Sequence, residues 1–261
     1  MRTLDPQLST LNSQPPDARI SGGSPTNATM LRNQPSVGAL SRRCPLDPDR
    51  PKPATGTATD WDRYYRRPFQ AARLTRQITA ANLLRQIRRF VRPAPVIVEL
   101  GGADSCFFDL IRRRIRPSQY HVLDNNQVGL DRFQQRIHGL PNAFASNQDV
   151  LRLSYRVEAD LVLSAGLIEH FGPEDTLAVV AAHFELLKPG GIAMMTFPTP
   201  TLLYRTARRL AECAGMWMFP DERPLRLAEV AAAGQPHGRM LLRKLIWPIV
   251  LTQYLLVWQK R

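Results

Sequence analysis

A loop of glycine and acidic residues separates a predicted strand from a predicted helix, and it reads Glu99-Leu100-Gly101-Gly102-Ala103-Asp104-Ser105. Gly101 and Gly102 let the backbone turn sharply and let a ligand come close to it. The GxGxxG spacing of a dinucleotide site is absent, and Asp104 would repel a pyrophosphate at the start of the following helix. The loop therefore favours a ligand without phosphate, and a plain strand-to-helix turn is the alternative.

Two more carboxylates follow predicted strands. Asp124 comes after Leu123, about 20–25 residues beyond the loop, where a carboxylate of an α/β fold can accept hydrogen bonds from both hydroxyls of a ribose. Asp149, which follows Gln148, could accept the exocyclic amine of adenine while Val150 packs against the ring. Each aspartate has a turn or helix-capping role as its alternative.

The segment after the fourth predicted strand supplies the candidate catalytic groups. His170 lies just past this strand and is the best candidate for a general base, with Glu169 as a weaker second candidate. A structural role for this Glu-His pair is the alternative.

Apolar runs rich in β-branched residues alternate with amphipathic segments along the middle of the chain. The runs predict buried strands at residues 96–100, 119–123, 143–146, 159–164 and 192–197. The amphipathic segments predict helices at residues 69–91, 107–115, 129–139 and 175–187. Residues 239–247 and 251–259 are typical of two strands joined by a short turn near Pro248.

This alternation predicts an α/β protein. We expect a Rossmann-like, doubly wound, mostly parallel seven-stranded sheet with a C-terminal antiparallel hairpin and helices on both faces. Ligands of such sheets bind beyond the carboxyl ends of the strands. The acidic and glycine-containing segments should therefore converge at one edge of the sheet.

Composition limits the classes of partner. The 261 residues carry a formal net charge of +13, but nearly all of the positive charge is arginine spread along the chain, so a nucleic-acid partner is not expected. There is no apolar stretch that could span a bilayer and no secretory signal, so we expect a cytoplasmic protein. Three cysteines without a CxxC pair give no reason to expect a metal site.

Five segments, in this order, resemble the class I S-adenosylmethionine-dependent methyltransferases, closest to their broad small-molecule, type 11-like branch. The loop is similar to the acidic-x-Gly-x-Gly-x-Gly motif of that family, with Ala103 and Ser105 in place of the second and third glycines. The other four segments are Asp124, Asn147-Gln148-Asp149-Val150, Asp160-Leu161-Val162-Leu163-Ser164-Ala165-Gly166-Leu167-Ile168-Glu169-His170-Phe171 and Leu186-Leu187-Lys188-Pro189-Gly190-Gly191.

The resemblance implies that S-adenosylmethionine is the cofactor. The residues implied to hold it are Glu99, Gly101, Gly102, Ala103, Asp124, Asn125, Gln148, Asp149, Val150, Ser164, Ala165 and Gly166. It further implies methyl transfer to a small-molecule, glycan or lipid-linked acceptor, with O-methylation favoured. The altered glycine loop keeps a non-catalytic methyltransferase-like binding subunit as an alternative, and the net charge keeps an RNA methyltransferase as a less favoured one.

The chain is expected to divide near residue 58. Residues 1–58, rich in Pro, Ser and Gly, predict a disordered tail, and residues 59–261 a methyltransferase domain. Within this domain we expect an N-terminal helical cap at 59–93, a cofactor-binding core at 94–200, and an acceptor region with the terminal hairpin at 201–261.

Two segments of mixed aromatic, methionine and proline residues, 197–204 and 215–220, are expected to form an acceptor wall, with core packing as the alternative. The hypothesis for the nearby Arg205, Arg208 and Arg209 is that they hold the anionic head group of a lipid-linked acceptor, which would imply peripheral membrane contact. Tyr64 and Tyr65 resemble the segment that folds over the cofactor in this family.

Overall fold

The structure is a computed structural model that describes residues 58–66, 72–246 and 252–261. Most of the expected disordered tail, the first residues of the helix expected from Phe69 and the turn expected near Pro248 lie outside the described residues.

Short runs of aliphatic and β-branched residues form a seven-stranded sheet. Its strands are β1 (Val96–Leu100), β2 (Gln119–Asp124), β3 (Ala143–Asn147), β4 (Ala159–Ala165), β5 (Leu187–Pro198), β6 (Gly238–Leu245) and β7 (Gln253–Lys260). The helices are α1 (Trp61–Arg66), α2 (Ala72–Phe90), α3 (Phe108–Ile115), α4 (Gln127–Ile137), α5 (Pro173–Glu185), α6 (Leu202–Cys213) and α7 (Leu227–Gly234).

The strand order is β3-β2-β1-β4-β5-β7-β6. Strands β1 to β5 are parallel, whereas β7 pairs antiparallel with both β5 and β6. The chain reverses its direction of travel across the sheet between β1 and β4, which creates the crevice where such sheets bind ligands. The predicted fold class, including the C-terminal antiparallel hairpin, is confirmed.

Helices cover both faces of the sheet. Along β1, Ile97 joins the apolar cluster that contains Leu83 of α2 and Phe133 of α4, and Val98 joins the cluster that contains Val180 of α5. All five side chains are fully buried. Successive residues of a strand point to opposite faces, so an uninterrupted apolar strand serves both clusters at once.

The Lys-Pro-Gly-Gly segment forms a bulge inside β5 rather than a turn before it. Ala159 pairs with Leu187 while Leu161 pairs with Ile192, so the four residues 188–191 of β5 lie opposite the single Asp160 of β4. A Cβ at Gly191 would lie 2.9 Å from the carbonyl oxygen of Lys188, which explains why glycine is needed there.

Helices α6 and α7 were not predicted as elements, and both lie in the segment between β5 and β6. α6 begins after Thr201, whose Oγ1 accepts a hydrogen bond from the backbone N–H of Tyr204 at 3.2 Å. The same hydroxyl lies 2.7 Å from that of Thr252, so the start of α6 is fixed to the segment that leads into β7. Among the described residues, none of the helices is long and apolar enough to cross a membrane.

Candidate functional site

A cavity of about 560 Å³ opens where β1, β2 and β4 end, which is the edge at which parallel sheets bind ligands. This volume is typical of a pocket for a small organic ligand. The predicted site residues on its wall are Glu99, Gly101, Gly102, Asp124, Asn125, Gln148, Asp149, Val150, Ala165, Gly166, Glu169 and His170. The fold therefore brings together residues that are up to 71 positions apart in the sequence, from Glu99 to His170.

Ser164, a predicted cofactor contact, does not lie on this wall. It is fully buried, and its Oγ lies 2.9 Å from Nε2 of His183 on α5. The other ring nitrogen, Nδ1, lies 2.8 Å from the carbonyl oxygen of Val179, which can only accept, so Nδ1 carries the proton and Nε2 accepts from Ser164. Burial lowers the pKa of His183 to about 4, which keeps the ring neutral. Ser164 thus joins β4 to α5, and its contact with a cofactor stays a prediction.

Three alternate residues of the glycine loop have left-handed backbone angles: φ is 67° at Gly101, 36° at Ala103 and 47° at Ser105. A residue with a side chain adopts this region at a cost of about 1–2 kcal/mol. Ala103 is fully buried and also lies off the cavity wall. Room for its methyl group comes from Gly129 of α4, where an added Cβ would lie 2.5 Å from that methyl. The loop therefore keeps its turn without two of the glycines.

Gly101 and Gly102 make room for the chain's own side chains. A Cβ at Gly101 would lie 2.5 Å from Cδ1 of Leu167, and a Cβ at Gly102 would lie 2.7 Å from Cδ of Glu99. Neither side chain could keep its place beside a larger residue in the loop. The two glycines thus let Leu167 and Glu99 close around the loop, and their own backbone stays on the cavity wall.

Glu99 anchors the loop from the end of β1. Its Oε2 accepts hydrogen bonds from the hydroxyl of Ser105 and, at 2.7 Å, from the hydroxyl of Tyr120. Burial raises the pKa of Glu99, while these two hydrogen bonds lower it by less. The serine at the third glycine position therefore has a use that glycine could not supply.

Asp124 holds two loops together at the end of β2. Its Oδ2 accepts from the backbone N–H of Ala103 at 2.9 Å, and its Oδ1 accepts from that of Asn126 at 2.7 Å. Burial raises the pKa of Asp124, and the backbone hydrogen bonds oppose this shift. Each carboxylate oxygen can accept more than one hydrogen bond, so both oxygens retain capacity for a ligand hydroxyl.

The segment after β3 forms a short 3₁₀ turn, Val150–Arg152, beside the cavity. Asp149 caps this turn, because its Oδ1 accepts from the backbone N–H of Leu151 at 2.9 Å. The Oε1 of Gln148 accepts from the backbone N–H and the hydroxyl of Ser154, at 3.2 and 3.1 Å. The turn-capping alternative for Asp149 is thus present in the structure, and the residue still lines the cavity.

His170 and Asp221 form a hydrogen-bonded pair in the cavity wall, with 3.1 Å between Nδ1 of the histidine and Oδ1 of the aspartate. Asp221 also accepts from the backbone N–H of Thr59 at 3.2 Å and from its hydroxyl. Burial raises the pKa of Asp221, but these hydrogen bonds and the histidine outweigh it and bring the pKa to about 2. Asp221 is therefore ionised at neutral pH.

The ionised aspartate determines the state of His170. Burial lowers the pKa of His170, but the hydrogen bond to the ionised Asp221 outweighs burial and leaves the pKa raised. In the neutral ring, Nδ1–H donates to Asp221, which leaves the lone pair on Nε2. A histidine in this state can act as a general base through Nε2.

Glu169 lies next to this pair and is 3% exposed. Its Oε2 is buried without a hydrogen-bond partner among the described residues. Burial raises the pKa of Glu169 to about 8, with the nearby Glu222 adding to the rise and His170 opposing it. The side chain is therefore a neutral carboxylic acid over most of the neutral pH range, able to donate a hydrogen bond to a ligand in the cavity.

Aromatic side chains from α1 cover this part of the cavity. The ring of Trp61 lies 4.9 Å from that of His170, and Tyr64 and Tyr65 line the same wall. Tyr64 accepts a hydrogen bond from the guanidinium of Arg76 on α2. These positions agree with the expectation that the two tyrosines cover the site, and a cofactor contact for them stays a prediction.

The expected acceptor wall is present in part. Tyr204, Met216, Trp217, Met218 and Phe219 line the cavity. The hydroxyl of Tyr204 donates to the carboxylate of the buried Glu222, which also lines it. Polar groups are thus set into a mostly aromatic and methionine wall, which is typical of a site that binds an organic molecule in one orientation.

The structure does not support the hypothesis that Arg208 binds the anionic head group of an acceptor. Its guanidinium is 11% exposed and donates to Glu212 at 2.7 Å and to the backbone oxygen of Glu222 at 2.7 Å. It also lies 5.1 Å from the ring centre of Trp217. Arg208 therefore fixes the cavity wall, whereas Arg205 and Arg209 are exposed.

The cavity residues that sequence reasoning missed include Trp61, Arg76, Asp221, Glu222 and Gln253. Asp221 and Glu222 had a usable signal, because they directly follow the aromatic stretch that we ended at Pro220. Arg76 and Gln253 had no such signal. Arg76 is one of many arginines in its helix, and a glutamine at the start of a strand is not unusual.

Comparison with known proteins agrees with the fold and with the sequence motifs. Residues 97–191 match the family model of a methyltransferase domain. No curated protein matches the chain. The N-methyltransferase NodS from Bradyrhizobium japonicum WM9, solved with S-adenosyl-L-homocysteine, is 15% identical with a TM-score of 0.54, over 69% of this chain and 86% of that chain.

The magnesium protoporphyrin IX methyltransferase ChlM from Synechocystis PCC 6803, solved with bound SAH, is 15% identical with a TM-score of 0.60, over 77% of this chain and 93% of that chain. At such low identity the similarity to both structures establishes the fold. The family match, the order of the motifs and the strand order all point the same way. Residues 97–191 are therefore similar to a methyltransferase domain, and the chain has the fold of these solved methyltransferases.

Proposed function

We propose that this chain binds S-adenosylmethionine in the cavity and transfers its methyl group to a hydroxyl of a small-molecule, glycan or lipid-linked acceptor. The observation that carries the proposal is the His170–Asp221 pair, which shares the cavity wall with the glycine loop and Asp124. A base poised in this way is useful only if the acceptor must lose a proton of high pKa, as a hydroxyl must.

The wall residues fit the cofactor. Glu99, Asp104, Asp124 and Asp149 bring negative charge to the cavity, which suits the ammonium and sulfonium groups of S-adenosylmethionine. We assign Asp124 to the ribose hydroxyls, Asp149 and Val150 to the adenine, and the backbone of Gly101 and Gly102 to the methionine end. Bound S-adenosylmethionine would supply a methyl carbon already activated by its sulfonium.

The residues on the acceptor side would orient the acceptor and take its proton. Nε2 of His170 accepts the hydroxyl proton, and Asp221 stabilises the imidazolium that results. The neutral carboxyl of Glu169 donates a hydrogen bond to an acceptor oxygen, which satisfies its unpartnered Oε2. Trp61 and the aromatic wall exclude water from the reaction.

The test uses S-adenosylmethionine labelled in its methyl group, incubated with separate small-molecule, glycan and lipid fractions. We expect one fraction to take up label, with the methyl group on oxygen by mass spectrometry, and we expect His170→Gln to lose most of the activity. A methyl group found on nitrogen would overturn the assignment to a hydroxyl. Firm cofactor binding with no label in any fraction would instead favour the non-catalytic subunit.

A further inference from the structure

Helix α6 and the turn after it expose an unusual amount of apolar surface. Leu202 is 82% exposed, Leu203 46%, Leu210 67% and Met216 61%. The other large apolar side chains that are exposed in the described part of the chain lie on four different elements: Phe144, Leu151, Leu177 and Leu245. Clustered apolar exposure marks an interaction surface, whereas scattered single residues do not.

Three exposed leucines form an apolar stripe along α6, with Thr206 between Leu202 and Leu210. Leu202 and Leu210 are eight residues apart and therefore lie on one face of the helix, with Leu203 beside them. The opposite face is fixed to the protein, since Tyr204 and Arg208 both bond to Glu222. α6 is thus an amphipathic helix whose apolar stripe faces outward, the reverse of the usual arrangement on a protein surface.

Positive charge borders the stripe. Arg205 lies three residues after Leu202 and Arg209 lies seven residues after it, so both are neighbours of the stripe on the helix surface, and both are exposed. An apolar face bordered by arginines is complementary to an anionic lipid surface, because the apolar side chains enter the interface while the cations meet the phosphates. Packing of two copies through this face would instead bring like charges together.

One exposed apolar residue near α6, Met216, also belongs to the cavity. Met216 is both exposed and part of the cavity wall, and Trp217 and Phe219 follow it inward. An apolar chain that contacts Met216 could therefore also contact Trp217 and Phe219 inside the cavity.

We propose that α6 and Met216 dock on an anionic lipid bilayer, with Leu202, Leu203 and Leu210 inserted at the head-group boundary and Arg205 and Arg209 at the phosphates. Docking itself requires neither cofactor nor acceptor. Docking would let a lipid-linked hydroxyl enter the cavity directly from the bilayer. This consequence rests on the proposed function.

The test is flotation of the full chain with vesicles of neutral phosphatidylcholine or with about one-third anionic phosphatidylglycerol. We expect binding to the anionic vesicles that weakens with salt. Leu202→Ser/Leu210→Ser should weaken it about tenfold or more, because two leucines no longer enter the interface. Arg205→Glu should weaken it about fivefold. The matched control Leu177→Ser/Leu245→Ser, which removes two exposed leucines elsewhere, should bind like the wild type.

Three results would overturn the proposal. One is wild-type binding that is equal for neutral and anionic vesicles or absent from both. Another is unchanged flotation of Leu202→Ser/Leu210→Ser. The third is a wild-type dimer, by light scattering, that this double substitution separates, which would assign the stripe to a second copy. None of these results bears on methyl transfer, which is measured separately with labelled cofactor.

Discussion

The Nδ1 atom of His170 lies 3.1 Å from Oδ1 of Asp221, although the two residues are 51 positions apart in the chain. The pair joins the end of β4 to the segment that follows α6. It gives the candidate base a defined tautomer and a raised pKa.

Asp221→Asn should shift the pH dependence of methyl transfer. The base works when it is deprotonated, so kcat/KM rises as the pH passes upward through the pKa of His170. Asp221 raises that pKa, so its neutral replacement should move this rise to lower pH and reduce kcat by about tenfold or more. The measurement is a pH profile of both kinetic parameters, with Asp175→Asn on the exposed start of α5 as the control. An unshifted profile with only KM changed would mean that His170 is not the base.

Gly129→Ala should destabilise the protein through the glycine loop. The new methyl group would lie 2.5 Å from Cβ of Ala103, and such overpacking typically costs about 1–3 kcal/mol. Adding Ala103→Gly removes the contact and relieves a left-handed alanine, so the double variant should recover most of the loss. The measurement is a double-mutant cycle of unfolding free energies in urea. Additive effects of the two substitutions would show that the two residues do not meet.

Ser164→Ala should change stability and leave cofactor affinity unchanged. The substitution leaves the buried Nε2 of His183 without a donor, at a cost of about 1–3 kcal/mol in unfolding free energy. The dissociation constant of S-adenosylmethionine should stay close to that of the wild type. Ser118→Ala, which removes an exposed hydroxyl, is the control for both measurements. Weakened binding at unchanged stability would restore Ser164 to the cofactor site that the sequence motif implies.

Glu169 should make stability fall with rising pH. In the unfolded chain its pKa is near the ordinary value of 4.5, and in the folded protein it is about 8. Between these values the folded state holds the extra proton, so the free energy of unfolding falls by up to about 1.4 kcal/mol per pH unit from this group and levels off above its folded pKa. Glu169→Gln should flatten that slope, whereas Glu158→Gln on the surface should not. Equal slopes in all three proteins would show that Glu169 is ionised when folded.

The sequence was sufficient to predict the fold and the position of the site. The core strands alternate with helices and are buried on both faces, so their apolar runs are visible without a structure. The ends of parallel strands must meet at one edge, which is why Glu99, Asp124 and Asp149 could be placed together.

The sequence was not sufficient to predict features that depend on tertiary contacts. Prediction of helix orientation assumes that the apolar face of a helix is buried. The apolar stripe of α6 faces solvent, so this assumption does not hold for α6. The partnership of His170 with Asp221 depends on how α6 and the following turn fold back, which no local pattern encodes. From the sequence alone, Ala103 and Ser105 leave a non-catalytic subunit as an alternative, whereas their left-handed backbone and their contacts with Gly129 and Glu99 show a loop that keeps its shape.

The central claim is that this cavity binds S-adenosylmethionine, and isothermal titration calorimetry tests it most directly. Asp124→Asn is the variant of choice, since it keeps an oxygen for one backbone N–H while removing the charge that would accept from the ribose. We predict saturable binding to the wild type at one site per chain, and binding weakened about tenfold or more by Asp124→Asn. This variant loses one backbone hydrogen bond, so its melting temperature should fall, and the titration is run at a temperature at which circular dichroism shows it to be folded. Absence of binding heat from the folded wild-type protein, at several temperatures, would contradict the account.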